Sequence, residues 1–110
     1  MSIKNNILTK MNKNKFSEKY NDTVVLAKVL SHPARLLILD LLCEKDECVC
    51  DLVKKIPLSQ STISQHLKEL KNAKILLSET KLNKNYYCVD KKELNRLYKQ
   101  LLPYMDGITN

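Results

Sequence analysis

Two short amphipathic runs meet at Pro57-Leu58-Ser59, and this junction constrains the chain more than any other feature of its sequence. Upstream, Val49, Leu52, Val53 and Ile56 share one side of a segment from Cys48 to Ile56, which reads as a helix of about two turns. Pro57-Leu58 breaks that helix, and Ser59 is suited to accept a hydrogen bond from a free backbone N–H in the first turn of the next. The following helix is expected to run from Gln60 to about Lys74. Two helices joined by three or so residues fit a helix-turn-helix unit.

The flanking segments supply the rest of a small domain. Phe16, Tyr20, Val24, Ala27 and Leu30 or Val29 recur at helical spacing, and Ser31-His32-Pro33 ends the run because the residue before proline avoids helical geometry. Pro33 suits the first turn of a second helix, where Ala34, Leu37, Ile38, Leu41 and Leu42 form an apolar stripe that Leu36 and Leu39 widen. After the exposed helix, residues 75–80 and 86–89 favour strands and enclose Lys81-Leu82-Asn83-Lys84-Asn85, a hairpin or wing. Asp90 starts a last helix bearing Leu94, Leu97, Tyr98, Leu101 and Leu102, expected to end near Pro103. The predicted fold is mainly α with a β-hairpin wing: four helices, two strands and a fifth helix. Residues 1–15 read as a mobile basic arm and 16–110 as one domain.

The 110 residues suffice for about one ordinary domain and leave little room for a catalytic one. The runs at 23–30 and 34–42 are too short and too charged to cross a bilayer, so no membrane association is expected. No apolar secretory segment follows Met1-Ser2-Ile3-Lys4, which points to a cytoplasmic protein with reduced thiols. Of the net charge of +7, residues 1–30 and 59–92 each carry +4. Two basic blocks suit a polyanion such as nucleic acid, or simply a lysine-rich soluble surface.

The helix after Pro57 separates these readings. Ile63, Leu67 and Leu70 fall on one face, and Ser61, Gln65, Lys68 and Asn72 lie nearly opposite. Small and amide side chains can hydrogen-bond base edges in a major groove, and Lys68 can reach a phosphate. Ser59, Gln60, Ser61, Thr62, Ser64 and Gln65 crowd the end where free N–H groups also favour phosphate. An ordinary surface helix would more usually carry Glu and Lys at i, i+4. His66, at the edge of the apolar stripe, is expected to touch core or phosphate. Lys81 and Lys84 in the hairpin complete the candidate DNA-binding set.

The stretch Leu30-Ser31-His32-Pro33-Ala34-Arg35-Leu36, followed by Ser59-Gln60-Ser61-Thr62-Ile63-Ser64-Gln65-His66-Leu67-Lys68-Glu69-Leu70, closely resembles the ArsR/SmtB metalloregulators. The resemblance covers roughly residues 24–102. It implies a winged helix, a homodimer built on the first and last helices, double-stranded operator DNA with an inverted repeat, and repression relieved by a metal or metalloid. One departure is Lys74, where the family commonly has glycine; the turn must then be made by Asn72, Ala73 or Lys74 with more strain.

Cys48 and Cys50, within Glu47-Cys48-Val49-Cys50-Asp51-Leu52, resemble the thiolate motif of the family's arsenic, cadmium and lead sensors. Soft thiolates select soft or borderline ions. On a regular helix the two residues would project about 200° apart, so ion capture is expected to distort the helix's first turn. That distortion would tilt the helix after Pro57 in each subunit and spoil half-site spacing. Cys43 is the nearest thiol in sequence for a third ligand. The position where the arsenic sensors can carry a further Cys is Val53, and residues 1–30 contain no Cys. The inducer implied is As(III) or Sb(III), and next Cd(II) or Pb(II).

Alternatives are a regulator that responds to thiol oxidation, through a Cys43–Cys48 disulfide, or one with no inducer at all. A thiol enzyme is disfavoured, since there is no glycine-rich phosphate loop and no βαβ pattern around the pair. An adaptor that binds protein rather than DNA would lack steep salt dependence on a duplex.

Overall fold

A computed structural model describes residues 13–110. Most of the arm expected at 1–15 lies outside the described residues. Residues 13–15 lie within the first helix, α1 (Lys13–Lys19), and α2 (Asn21–Val29) follows it. The single helix expected over 16–30 is therefore broken at Tyr20, whose φ of −103° and ψ of 4° leave the helical basin. The Tyr20 ring meets Phe16 and Tyr104 edge-on, with centroids 5.9 and 6.3 Å apart.

α3 (Pro33–Glu44) begins as its sequence implies. Pro33 occupies the first turn, where its missing N–H is no loss, and Nδ1 of His32 accepts from the Ala34 N–H at 3.1 Å. Ala34, Ile38 and Leu42 are buried. Then comes a strand the sequence does not advertise, β1 (Glu47–Cys48), before α4 (Val49–Lys55) and α5 (Gln60–Asn72). Two residues are too few for a periodic pattern, so β1 is visible only through its pairing.

β2 (Leu76–Lys81) and β3 (Lys84–Val89) form the hairpin, and β1 adds to its other side in the order β1-β3-β2, all antiparallel. Glu47 lies opposite Tyr87 and Cys48 opposite Tyr86. The five-residue loop expected between the strands shrinks to two, because pairing continues to Lys81 opposite Lys84. Leu82 and Asn83 make the turn at φ of 50° and 66°, the left-handed pair that matches the twist of a tight hairpin.

α5 hands over to β2 through a helix-ending turn. The N–H of Ile75 reaches the carbonyl of Leu70 at 3.0 Å, and that of Lys74 reaches Lys71 at 2.9 Å. This double closure needs a left-handed residue, and Lys74 supplies it at φ 64°.

α6 (Lys91–Thr109) is capped by Asp90, which accepts from the Glu93 N–H at 3.1 Å. Contrary to the expected stop, the helix continues through Pro103. Lys99 and Pro103 are both exposed, so water has access to the turn where the helix loses a bond. The extension carries Tyr104 to its contact with Tyr20.

The core lies where α5 meets α3 and α4: Ile63, Leu67 and Leu70 join Ile38, Leu42, Leu52 and Ile56, with Ile75 below. Each such fully buried side chain stabilises the fold by about 1.5–3 kcal/mol. α2 and α6 pack together at one end, where Leu26, Val29 and Leu97 are buried. An ion pair from Arg96 to Asp22 at 2.9 Å braces them. Among the described residues no helix is long and apolar enough to cross a membrane.

Candidate nucleic-acid interface and thiol site

The face of α5 turned from the core is polar and open. Ser59 caps the helix, its Oγ accepting from the Thr62 N–H at 3.3 Å, and it also meets Thr62 Oγ1 at 2.9 Å and Ser61 Oγ at 3.2 Å. Gln60, Ser61, Thr62, Gln65 and Lys68 are exposed, and Ser64 is half-buried. Gln65 donates from Nε2 to Glu69 at 3.3 Å and keeps its carbonyl free in the described contacts. The arrangement presents hydroxyls, an amide and one lysine along a single convex helix.

His66 does not join that face. It is buried on the inner side of α5, where Nδ1 accepts from Arg35 Nε at 3.2 Å and its ring lies 4.5 Å from that of His32. Of core and phosphate, the two surroundings expected for His66, the structure gives it the core, which takes it out of the candidate DNA-binding set. Burial pushes its pKa below 6.5, and the nearby His32 and Arg35 push in the same direction. Arg35 also pairs with Glu69 and donates to the carbonyl of Lys28. One guanidinium thus links α2, α3 and α5, a role its sequence position alone did not announce.

Lys81 and Lys84 close the hairpin as its last strand pair and are exposed. Lys81 lies 3.8 Å from Asp46 and 3.9 Å from Glu79, both solvent-exposed pairs of small energetic weight.

The cysteines sit differently from a pair on a regular helix. Cys48 is the N-cap of α4, with extended backbone at φ −88° and ψ 168°, and Cys50 lies in the first turn. Leaving the helix at Cys48 swings its side chain round, and the two sulfurs are joined as a disulfide with Cα atoms 5.3 Å apart. The expectation that the pair can meet only by distorting α4 is corrected: the helix start already brings the sulfurs together.

Asp51 completes the arrangement. Its N–H donates to Cys48 Sγ at 3.3 Å, and its carboxylate accepts from the Cys48 N–H at 3.4 Å, a reciprocal cap with sulfur in the role usually taken by a hydroxyl. The donor atoms of Cys48, Cys50 and Asp51 all lie within 4.8 Å of one another. With the disulfide reduced, two thiolates and a carboxylate would face one point, a set suited to a soft or borderline ion. Sequence reading missed Asp51, although an acidic residue three after a helix cap is the signal for it.

Cys43 is not in that cluster; it is a free, exposed thiol near the end of α3. The disulfide joins Cys48 to Cys50 rather than to Cys43, which corrects the pairing expected for an oxidised form. Cys88, opposite Leu77, is half-buried, and its thiol pKa is raised by burial and then by Asp46, Asp90 and Glu79.

Beside the thiols, Glu47 is fully buried and pairs with Lys55 at the end of α4, while its Oε2 has no hydrogen-bond partner among the described residues. The wing sheet, the cysteine pair and α4 are thereby held together within a few residues.

A family model described as "Bacterial regulatory protein, arsR family" matches residues 32–76, which span α3 to the start of β2. The arsenical resistance operon repressor of Staphylococcus xylosus is 35% identical over 82 residues, covering 74% of this chain and 79% of that protein. The arsenical resistance operon repressor of Bacillus subtilis (strain 168) is 38% identical over 76 residues, covering 68% and 72%. Among solved structures, NolR from Sinorhizobium fredii superposes with a TM-score of 0.68 at 27% identity, covering 83% of this chain and 90% of that one. The helix order, the hairpin after α5 and these likenesses agree: the chain belongs to the arsR family of bacterial regulatory proteins, winged-helix transcriptional regulators rather than enzymes.

Proposed function

We propose that this chain is a DNA-binding repressor that leaves its operator when a thiophilic ion, As(III) or Sb(III) first and Cd(II) or Pb(II) next, is captured by Cys48 and Cys50. The observation that carries the reading is the convergence of the two sulfurs at the cap of α4, the helix that packs directly under α5. Reduced to thiols, the pair would condense with arsenous acid by forming two As–S bonds and releasing two waters. Cys43 remains the candidate third thiol, and Asp51 stands nearer as an oxygen donor.

The DNA-reading surface proposed is Ser59, Gln60, Ser61, Thr62, Ser64, Gln65 and Lys68 on α5, with Lys81 and Lys84 on the hairpin. A homodimer is supported by the apolar trough of Leu26, Leu30, Leu94, Tyr98 and Leu101 between α2 and α6. Two α5 helices related by a two-fold axis would read an inverted repeat. Ion capture engages the reduced thiols at the start of α4, and movement there tilts α5, because Leu52 and Ile56 share one buried core with Ile63 and Leu67.

A second reading, control by thiol oxidation, is favoured by the Cys48–Cys50 disulfide itself. One experiment separates the two. Binding of the reduced chain to a duplex that it selects from a random pool is measured against arsenite, antimonite, cadmium, lead and hydrogen peroxide. Release by an ion supports the first reading. Release by peroxide alone supports the second, and release by neither overturns both.

A further inference from the structure

Leu82 is 95% exposed, the most exposed large apolar side chain among the described residues. It also adopts φ 50°, a conformation disfavoured for a residue with a branched side chain, where Asn or Gly would sit without strain. Neither feature helps the fold. The turn needs only left-handed backbone, and Asn83 already provides half of it with an ordinary turn residue. An apolar side chain held in water at a strained position points to use outside the fold.

The surroundings identify the occupant. Lys81 and Lys84 flank the tip as its final strand pair, and Asn83 and Asn85 add amides, so the tip offers one apolar group inside a basic, polar collar. Hairpin and α5 are rigidly coupled: the turn at Lys74 is closed by two backbone bonds, and the Asp90 N–H reaches the Ile75 carbonyl at 2.7 Å. A strand of six residues extends about 20 Å. Half a turn of duplex, the distance from one groove to the next, is about 17 Å. With α5 in a major groove, the hairpin is long enough to carry its tip to the neighbouring minor groove. That groove is about 6 Å wide, which admits one Leu side chain but not the ribbon behind it.

We propose that Leu82 is an apolar wedge that enters the minor groove of the bound duplex and partly unstacks a base step, while Lys81 and Lys84 hold the flanking phosphates. The proposal rests on the DNA-binding reading above. It makes the wing tip a determinant of sequence preference through DNA deformability, favouring sites with a flexible pyrimidine–purine step beneath the tip.

The test uses the full chain and a duplex that the wild-type protein recovers from a random-sequence pool, with 2-aminopurine placed at successive flanking positions. Leu82→Asn is expected to raise the melting temperature, since the strained residue is replaced by one that tolerates the turn, yet weaken duplex binding roughly tenfold. A rise in 2-aminopurine fluorescence at one flanking step is expected with wild type and with Leu82→Met, and not with Leu82→Asn. Equal affinity of wild type and Leu82→Asn, or weaker binding with no fluorescence change in any of the proteins, would overturn the wedge while leaving DNA binding intact. If the wild-type chain recovers no duplex and shows no salt-dependent binding, the DNA-binding reading fails and takes the wedge with it.

Discussion

Arg35 donates from Nε to Nδ1 of His66 at 3.2 Å, tying the start of α3 to the buried side of the helix that carries the proposed DNA contacts. The bond requires His66 to be unprotonated at Nδ1. Burial, then His32 and Arg35, lower its pKa from the ordinary 6.5. As pH falls through 6.5 the unfolded chain takes up a proton at His66 that the folded protein does not yet accept. The stability tied to this residue is therefore complete above 6.5, declines as pH falls below it, and levels off beneath the folded value. His66→Asn keeps an acceptor without a titrating ring. Urea unfolding at a series of pH values is expected to give a shallower decline for His66→Asn than for wild type. Identical slopes would remove His66 from the account.

Lys74 performs a glycine's task. Its φ of 64° closes the turn between α5 and β2, and a side chain there costs energy that glycine avoids. Lys74→Gly is expected to stabilise the protein by about 0.5–1 kcal/mol, seen as a melting temperature a few degrees higher at the same protein concentration. A melting temperature unchanged or lowered would mean that the Lys74 side chain contributes contacts that outweigh the strain.

The two cysteines should separate cleanly from the fold. Cys48 Sγ accepts the Asp51 N–H, so Cys48→Ser keeps an acceptor, and serine is among the better helix caps. Cys48→Ala removes it and is expected to cost about 1 kcal/mol. Both lose one thiol. Duplex binding by Cys48→Ser should match wild type, with the response to arsenite abolished; Cys50→Ser, at an exposed position, should behave alike. A Cys48→Ser chain that still lets go of the duplex on arsenite addition would move the inducer site elsewhere.

Much of this arrangement is legible in the residues themselves, and the exceptions share a cause. The stripe of Ile63, Leu67 and Leu70, the His32-Pro33 helix start and the Ser59 cap are local patterns, each set by neighbours within one or two turns. The strain near Lys74 was located through the family resemblance, by the lysine standing where glycine is common. What escaped depends on contacts between distant segments. β1 exists because Glu47 and Cys48 find Tyr87 and Tyr86 some forty residues away, and that pairing takes Cys48 out of the helix and brings its sulfur to Cys50. His66 looked like a boundary residue because Arg35, thirty-one positions earlier, is what covers it. The passage of α6 through Pro103 likewise accompanies a contact with Tyr20 that no window around Pro103 contains.

The exposed face of α5 makes a last distinction that affinity alone would blur. Gln65 uses one amide hydrogen on Glu69, leaving its second hydrogen and its carbonyl, the pair needed for a two-point contact with the edge of an adenine. Lys68, one turn on and exposed, has donors only and no fixed geometry, which suits a phosphate. Gln65→Ala should therefore cost about 1–3 kcal/mol on a selected duplex and little on random DNA, narrowing the gap between them. Lys68→Ala should weaken both alike and reduce the slope of log affinity against log salt by about 1 per site. The two variants are compared by titrating selected and random duplexes at several salt concentrations. Were Gln65→Ala to change the salt slope and Lys68→Ala the selectivity, the roles would be exchanged; were neither to change anything, α5 would not be the reading helix.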